Sequence, residues 1–468
     1  MLQTPQQLRQ RASLAPYRWA VAGCAAVLIG YIALIMALHT ETATRSTAPP
    51  WFSWVRYPPT RTRLQSLYLV FPAIVFAGWV KLVRRMLRAP VPPAYAMFFG
   101  FVAVLSLNVT VAMMDGSPAA VSKPFNWPGM EYFGDVRSVN DIGSFLYGYT
   151  ANLYHYSVHT RTHPPGGVLL LYFVRLALGP GVAAAAWAAV VITATGVVPF
   201  YLLAHRLAGE PIARLAIALY PVAPSLVLFG ATSMDGVFLV SLLWSTYLLQ
   251  RAITGPRFTL PAIAAAISLT ISVMFSYVTL CIVAMMLIYA ILELAVYPSH
   301  LRRIAGVFAI CAAMIVAFLA MVDHLTGFNY LACLQASRYY DHYAMRTFTV
   351  SFGRYVDISF CNLIAFLIGV GLPGVVLWGR QTVESLNRRT EADRFNIALV
   401  ISVLIFSFAH LFTHETERIW LFFIPPALIA AASWIERRGT SDGRLLEWAM
   451  CLSFAQTWLF QLLLFTIW

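Results

Sequence analysis

A chain of 468 residues that is 60% hydrophobic and only 11% charged is too apolar for a soluble globular protein, and no low-complexity tail accounts for the excess. Apolar runs of about 20 residues recur along its length, enough to cross a hydrocarbon core about 30 Å thick, and the alternating pattern of a β-barrel is missing. The formal net charge is +13, yet Lys and Arg concentrate in short loops between apolar runs, where the positive-inside rule places them, so the charge reflects topology and not nucleic-acid binding.

In chain order, Arg9, Arg11 and Arg18 hold the N-terminus inside, and a first helix at about 19–38 runs outward as a signal anchor without a small-residue cleavage site. Lys81, Arg84, Arg85 and Arg88 mark the inner end of a second helix, and a third, at about 94–114, delivers residues 115–163 outside. The stretch 168–178 is too short to span, contains Arg175 and ends in Gly179-Pro180-Gly181. Read as an interfacial or re-entrant helix, it puts every later basic loop inside: His205 to Arg214, Arg251 to Arg257, His300 to Arg303, Arg380 to Arg394 and Arg437 to Arg444.

The later spans then fall at about 183–204, 212–230, 235–250, 259–276, 278–297, 304–322, 358–379, 395–412, 419–436 and 447–467. This predicts a single all-α polytopic membrane domain, 1–468, with about 13 transmembrane helices. A large outer loop at 115–182 carries short juxtamembrane helices, and a second outer loop lies at 323–357. The six cysteines have no paired spacing, which leaves neither a zinc ribbon nor a disulfide framework.

The same topology gathers the polar, non-basic features on the outer face. They are the 115–163 loop, the corners Ser233-Met234-Asp235-Gly236 and Phe275-Ser276-Tyr277, the loop from Asp323 to Asp357, and His414-Glu415-Thr416-Glu417-Arg418. Glu131 and Asp135 are four apart and share a face if that stretch is helical, so one can serve as general base, with Asp135 favoured, while the other orients a ligand or metal. Arg137 and Arg161 flank them, suited either to phosphate oxygens or to an ion pair with Glu131 or Asp141.

His163 precedes two prolines, which end any helix there and feed a new one at Gly166, whose free N–H groups would make a phosphate cradle with His163. His155, His159 and His163 also repeat at the spacing of a helical metal site, which the prolines disfavour. Asp235 heads a helix, where an acid satisfies the dipole, but an ionisable group at membrane depth is also a functional candidate. Tyr340 and His342, in Tyr339-Tyr340-Asp341-His342-Tyr343, suit stacking on sugar faces or an interfacial belt. His414, Glu415 and Glu417 crowd a helix entry, where Arg418 either holds a phosphate or neutralises Glu415.

This order of parts resembles the glycosyltransferase C superfamily, in the branch of protein O-mannosyltransferases and lipid A aminoarabinose transferases. The matching residues are Glu131 to Asp135 with Arg137, then Thr162-His163-Pro164-Pro165, then Ser233-Met234-Asp235. The resemblance implies a GT-C-like bundle and an inverting transfer of a sugar from a polyprenyl-phosphate donor to a glycan, lipid or protein acceptor, on the outer face of a bacterial plasma membrane. It also implies Asp135 as the catalytic carboxylate, His163 at the lipid phosphate and Asp235 as a supporting acid. The acidic signature here reads Glu-x-x-x-Asp, which keeps Glu131 open as the base. No cofactor is required outright, and a divalent metal ion is compatible with the acids. The rival expectation is a polytopic lipid or sugar transporter or flippase, which needs polar residues near the bilayer midplane and repeated halves; the spans carry few ionisable residues and no repeat is visible.

Overall fold

The computed structural model describes residues 14–38, 67–89, 91–345, 352–409, 411, 415–438 and 443–463. Among them every regular element is a helix. Six helices are long and apolar enough to cross a membrane: Leu67–Arg88, Pro93–Met113, Val182–Ala208, Asp235–Thr254, Thr279–Val296 and Pro298–Thr326. A seventh span is formed if the bent pair Ile358–Val370 and Leu372–Ser385 is taken as one.

Among the described residues the stretches expected as spans are helical, apart from a single turn residue at Gly196 between Val182–Thr195 and Val197–Ala208 and three larger interruptions that the chain explains. Residues 212–230 form Glu210–Leu219 and Pro224–Leu228 around a short turn, because Pro221 and Pro224 each withhold a backbone donor. Residues 358–379 bend by 105° at Gly371, whose φ of 91° is one that residues with a Cβ rarely adopt. Residues 419–436 begin with two short turns, Thr416–Ile419 and Leu421–Phe423, before the helix Ile424–Arg438. Within the stretch expected as a second outer loop, 323–357, the described residues include the helix Tyr330–Met345.

Two groups of chain ends come together, and they are the two groups that charge separates. At one end Arg206 bonds Thr254 at 3.1 Å, and Arg303 bonds the Gly255 carbonyl at 2.9 Å. There too Arg394 pairs with Glu293 at 2.7 Å, Arg437 with Glu384 and Asp393 at 3.3 Å, and Arg84 with Glu447 at 2.7 Å. All of these lie in or beside loops assigned inside. At the other end Tyr277 bonds Cys333 at 3.3 Å, Arg418 pairs with Asp235 at 2.9 Å, and Tyr149 packs edge-on against Phe328.

The loop expected outside folds into six short helical pieces between Pro118 and Arg161. A second hydrophobic cluster lies beneath it, built on Phe125, Tyr132, Tyr149, Leu171, Phe238 and Phe328 and separate from the larger membrane core. The helix Gly166–Leu178 that follows has 13 residues, about 20 Å at 1.5 Å per residue, which is too short for a hydrocarbon core of about 30 Å. Its start is wedged in place. A Cβ on Gly166 would sit 2.3 Å from the Met274 carbonyl oxygen, and one on Gly167 3.1 Å from the Tyr132 ring. Only glycine lets this backbone approach so closely.

Candidate active site

The site is assembled by backbone pairing within the outer loop. Val158 and His159 donate their amides to the carbonyls of Gly129 and Met130 at 2.9 and 3.1 Å. Next in line, the Ser157 amide donates to Asp135 Oδ2 at 3.0 Å. This zipper sets Glu131 against His159, with Glu131 Oε1 2.8 Å from His159 Nδ1, a close contact that is not aligned as a hydrogen bond.

The loop is then joined to two distant segments. Arg418, buried at the turn Thr416–Ile419, donates from Nη2 to His159 Nε2 at 3.3 Å and places Nη1 2.9 Å from Asp235 Oδ2. It also bonds the Glu415 carboxylate. An arginine can only donate, so His159 Nε2 accepts and the ring proton of the neutral imidazole sits on Nδ1, the atom beside Glu131. The Ser233 hydroxyl holds Asp235 by donating to its Oδ2 at 2.7 Å and accepting its amide at 3.0 Å. Four segments far apart in sequence thus supply a continuous chain: Glu131, His159, Arg418, and the pair Asp235 and Glu415.

His163 lies against this chain. Its Nδ1 is 2.9 Å from the His159 carbonyl and 3.2 Å from Thr162 Oγ1, and its ring is flanked by Tyr132 and Phe238 at 5.7 Å. Burial among these rings pushes its pKa down to about 4; Asp235 pulls the other way, and His159 and Arg418 add to the lowering. The turn after it is fixed by the fully buried Tyr149, whose hydroxyl is within reach of the Thr160 and His163 carbonyls at 2.9 and 3.0 Å.

The expected sharing of one face by Glu131 and Asp135 gives way to a division of positions. Residues 132–138 form a 3-10 helix, and Glu131 precedes it in extended conformation. At three residues per turn, positions four apart diverge. Glu131 is therefore buried, at 2% exposure, while Asp135 stays half-buried, facing the Ser157 amide and forming no ion pair among the described residues.

Of the other expected residues, Arg137 is exposed and Arg161 half-buried, and neither has an ion-pair partner among the described residues. The spacing that linked His155 to His159 and His163 does not hold in space: His155 is exposed, against Tyr154. Among the described residues no group of three or more His, Cys, Asp or Glu side chains is disposed to hold a metal ion. Tyr340 lies on the helix Tyr330–Met345 against Tyr339, with His342 on the same helix. His414 lies outside the described residues. Glu415 has a left-handed φ of 57°, the one non-glycine residue among those described with positive φ, and so turns the chain sharply just before Arg418. Glu417 is buried, and neither carboxylate oxygen has a hydrogen-bond partner among the described residues.

Sequence reasoning placed His159 only in a metal pattern and so missed its bridging role. Nothing local signals that role, because it depends on the backbone pairing of 129–130 with 158–159 and on an arginine 259 residues away.

No protein-family model matches the chain, and no curated protein matches it. Among solved structures it is similar to ArnT from Cupriavidus metallidurans in the apo state, with a TM-score of 0.42 and 13% identity over 64% of this chain and 55% of that one. It is also similar to the Archaeoglobus fulgidus oligosaccharyltransferase in complex with Zn and sulfate, with a TM-score of 0.46 and 15% identity over 72% of this chain and 48% of that one. The chain thus spans about half the length of each.

Proposed function

We propose that this chain is a multi-pass membrane glycosyltransferase that takes a sugar from a polyprenyl-phosphate donor and passes it, with inversion, to an acceptor on the outer face of a bacterial plasma membrane. The observation that carries the reading is the convergence of Glu131, His159, Asp235, Glu415 and Arg418 where the outer loop meets the head of a spanning helix. So many ionisable groups at a membrane boundary are costly to keep unless they act.

In the proposed step an acceptor oxygen attacks the anomeric carbon from the face opposite the phosphate. The bond from that carbon to the phosphate oxygen breaks, polyprenyl phosphate leaves with the electron pair, and the acceptor proton passes to a carboxylate. Asp135 is the better base of the two acids, because it is half-buried and paired with no cation among the described residues, whereas Glu131 is enclosed and held against His159. Glu131 then keeps His159 and Arg418 in place.

Arg137 and Arg161 suit the donor phosphate, each a cation with no ionic partner among the described residues. Arg418 joins them only by releasing Asp235 or Glu415. Tyr340, His342, His414 and Glu417 are assigned to the substrate side, and any divalent metal would require further ligands from the substrate.

The test uses purified protein in lipid nanodiscs with radiolabelled undecaprenyl-phosphate sugars, reading release of the carrier with water or added alcohols as acceptor. Asp135→Asn is expected to lower turnover by about a hundredfold or more with unchanged thermal stability. Turnover retained in that variant would exclude Asp135 as base.

A further inference from the structure

We propose that His163 recognises a substrate hydroxyl through a bare Nε2 lone pair and is not the counter-ion of the donor phosphate, an assignment that rests on the glycosyl-transfer reading above. The other ring nitrogen fixes the tautomer. Nδ1 lies 2.9 Å from the His159 carbonyl oxygen, and a carbonyl can only accept, so Nδ1 carries the proton. Thr162 Oγ1, 3.2 Å away, does not compete for that role. Its hydroxyl can donate to the Val158 carbonyl at 3.0 Å or the His159 carbonyl at 3.3 Å, and in either case its oxygen can accept from Nδ1–H. In a neutral imidazole with Nδ1–H, Nε2 is an acceptor.

Its surroundings keep the ring neutral. Tyr132 and Phe238 flank it; Asp235 favours the charged form, its ion-pair partner Arg418 opposes that, and burial outweighs both. The resulting pKa of about 4 leaves no imidazolium at neutral pH. No described residue bonds Nε2, and the side chain is only half-buried, so the lone pair is open to a ligand.

That chemistry selects its partner. An ionised phosphodiester has only acceptor oxygens and would meet the lone pair with repulsion, whereas a sugar or alcohol hydroxyl donates to it. A site built to accept from a hydroxyl also rejects an analogue lacking it, since the pocket group is then left unpaired.

Two measurements decide the assignment. In nanodisc-embedded protein carrying ¹⁵N-histidine, the His163 resonances, identified by their loss in His163→Gln, should report Nδ1–H with bare Nε2 from pH 6 to 8. An imidazolium or an Nε2–H form in that range overturns the proposal. In the second, affinity is measured for bare undecaprenyl phosphate and for the same carrier bearing a hexose or pentose.

His163→Ala should leave the bare carrier within about twofold of wild type, whereas Arg161→Ala weakens it about fivefold or more. The added affinity contributed by the sugar should shrink about tenfold in His163→Ala and partly return in His163→Gln, whose amide oxygen accepts. If that increment is intact but KM for the alcohol acceptor rises tenfold at unchanged kcat, the hydroxyl belongs to the acceptor. If neither moves, or if His163→Ala weakens the bare carrier as Arg161→Ala does, the proposal fails. Failure of wild-type protein to bind undecaprenyl phosphate would overturn the donor reading, whereas an imidazolium or Nε2–H resonance overturns the His163 assignment whether or not the carrier binds.

Discussion

Glu417 keeps a carboxyl at 3% exposure with no hydrogen bond to either oxygen among the described residues. Burial, which penalises the charged form, is the largest cause that lifts its pKa from 4.5 to about 8, and the neighbouring Glu415 charge adds to it. Between those values the folded chain holds a proton that the unfolded chain has lost. Stability from this group is therefore complete below about pH 4.5 and declines as pH rises through about 8. His163 works in the opposite sense, because its lowered pKa removes stability as pH falls from 6.5 toward 4. The measurement is thus a difference: the Tm of wild type minus that of Glu417→Gln in detergent should fall steadily from pH 5 to 8.5, and a flat difference would show the carboxyl ionised throughout. Tyr149→Phe tests the turn that carries His163. Removing the hydroxyl that reaches the Thr160 and His163 carbonyls should cost about 1 kcal/mol of stability and loosen the His163 turn, which the His163 nitrogen resonances would register as broadening.

The element that positions this site is the turn into Gly166–Leu178. Gly166→Ala must move either the helix start or the Met274 carbonyl, since its Cβ would lie 2.3 Å from that oxygen. We expect about 1–3 kcal/mol of destabilisation, in the range of overpacked cores, whereas the exposed Gly134, with nothing near its Cβ position, should accept alanine within about 0.5 kcal/mol; thermal unfolding of the two variants makes the comparison. This element also marks how far the sequence could be read. Length, Arg175 and the glycine-proline exit pointed to a short helix after the prolines, and the structure has one of 13 residues; the boundaries of most helices follow from hydropathy. Breaks at Pro221, Pro224 and Gly371 were written in the sequence as well, yet long apolar runs mask them, because hydropathy carries no information on backbone direction. The site was legible as residue types and not as partners. Asp235 and Arg418 were singled out separately, but an ion pair across so many residues depends on helix packing. The divergence of Glu131 from Asp135 turned on a 3-10 turn replacing an α-turn, a choice that short polar loops make through tertiary contacts.

Across the whole molecule, two faces of polar contacts are separated by the apolar helices, and the basic one is fastened from inside the bundle. Glu293 and Arg394 pair at 2.7 Å while nearly fully buried, and Arg394 also lies over the Tyr297 ring at 5.3 Å. Arg394→Leu leaves Glu293 uncompensated and should cost about 3–5 kcal/mol, whereas the double replacement of both by leucine should recover most of that loss. A double-mutant cycle on Tm therefore separates the ion pair from the packing around it. The assignment of the two faces to the two sides of the bilayer makes a prediction of its own. Loop charge orients a polytopic chain, with Lys and Arg retained in the cytoplasm, and Arg380, Arg388, Arg389 and Arg394 are concentrated in the loop that meets Glu293 and Arg437. Ser138, exposed at the end of the 3-10 helix that carries Asp135, belongs to the opposite face. In intact bacterial cells, a membrane-impermeant maleimide should label Ser138→Cys above the wild-type background. Arg388→Cys should react only after the membrane is permeabilised. The reverse pattern would place the acids and His163 in the cytoplasm, where the donor's sugar would have to face inward, and would exclude transfer at the outer surface while leaving the geometry of the cluster untouched.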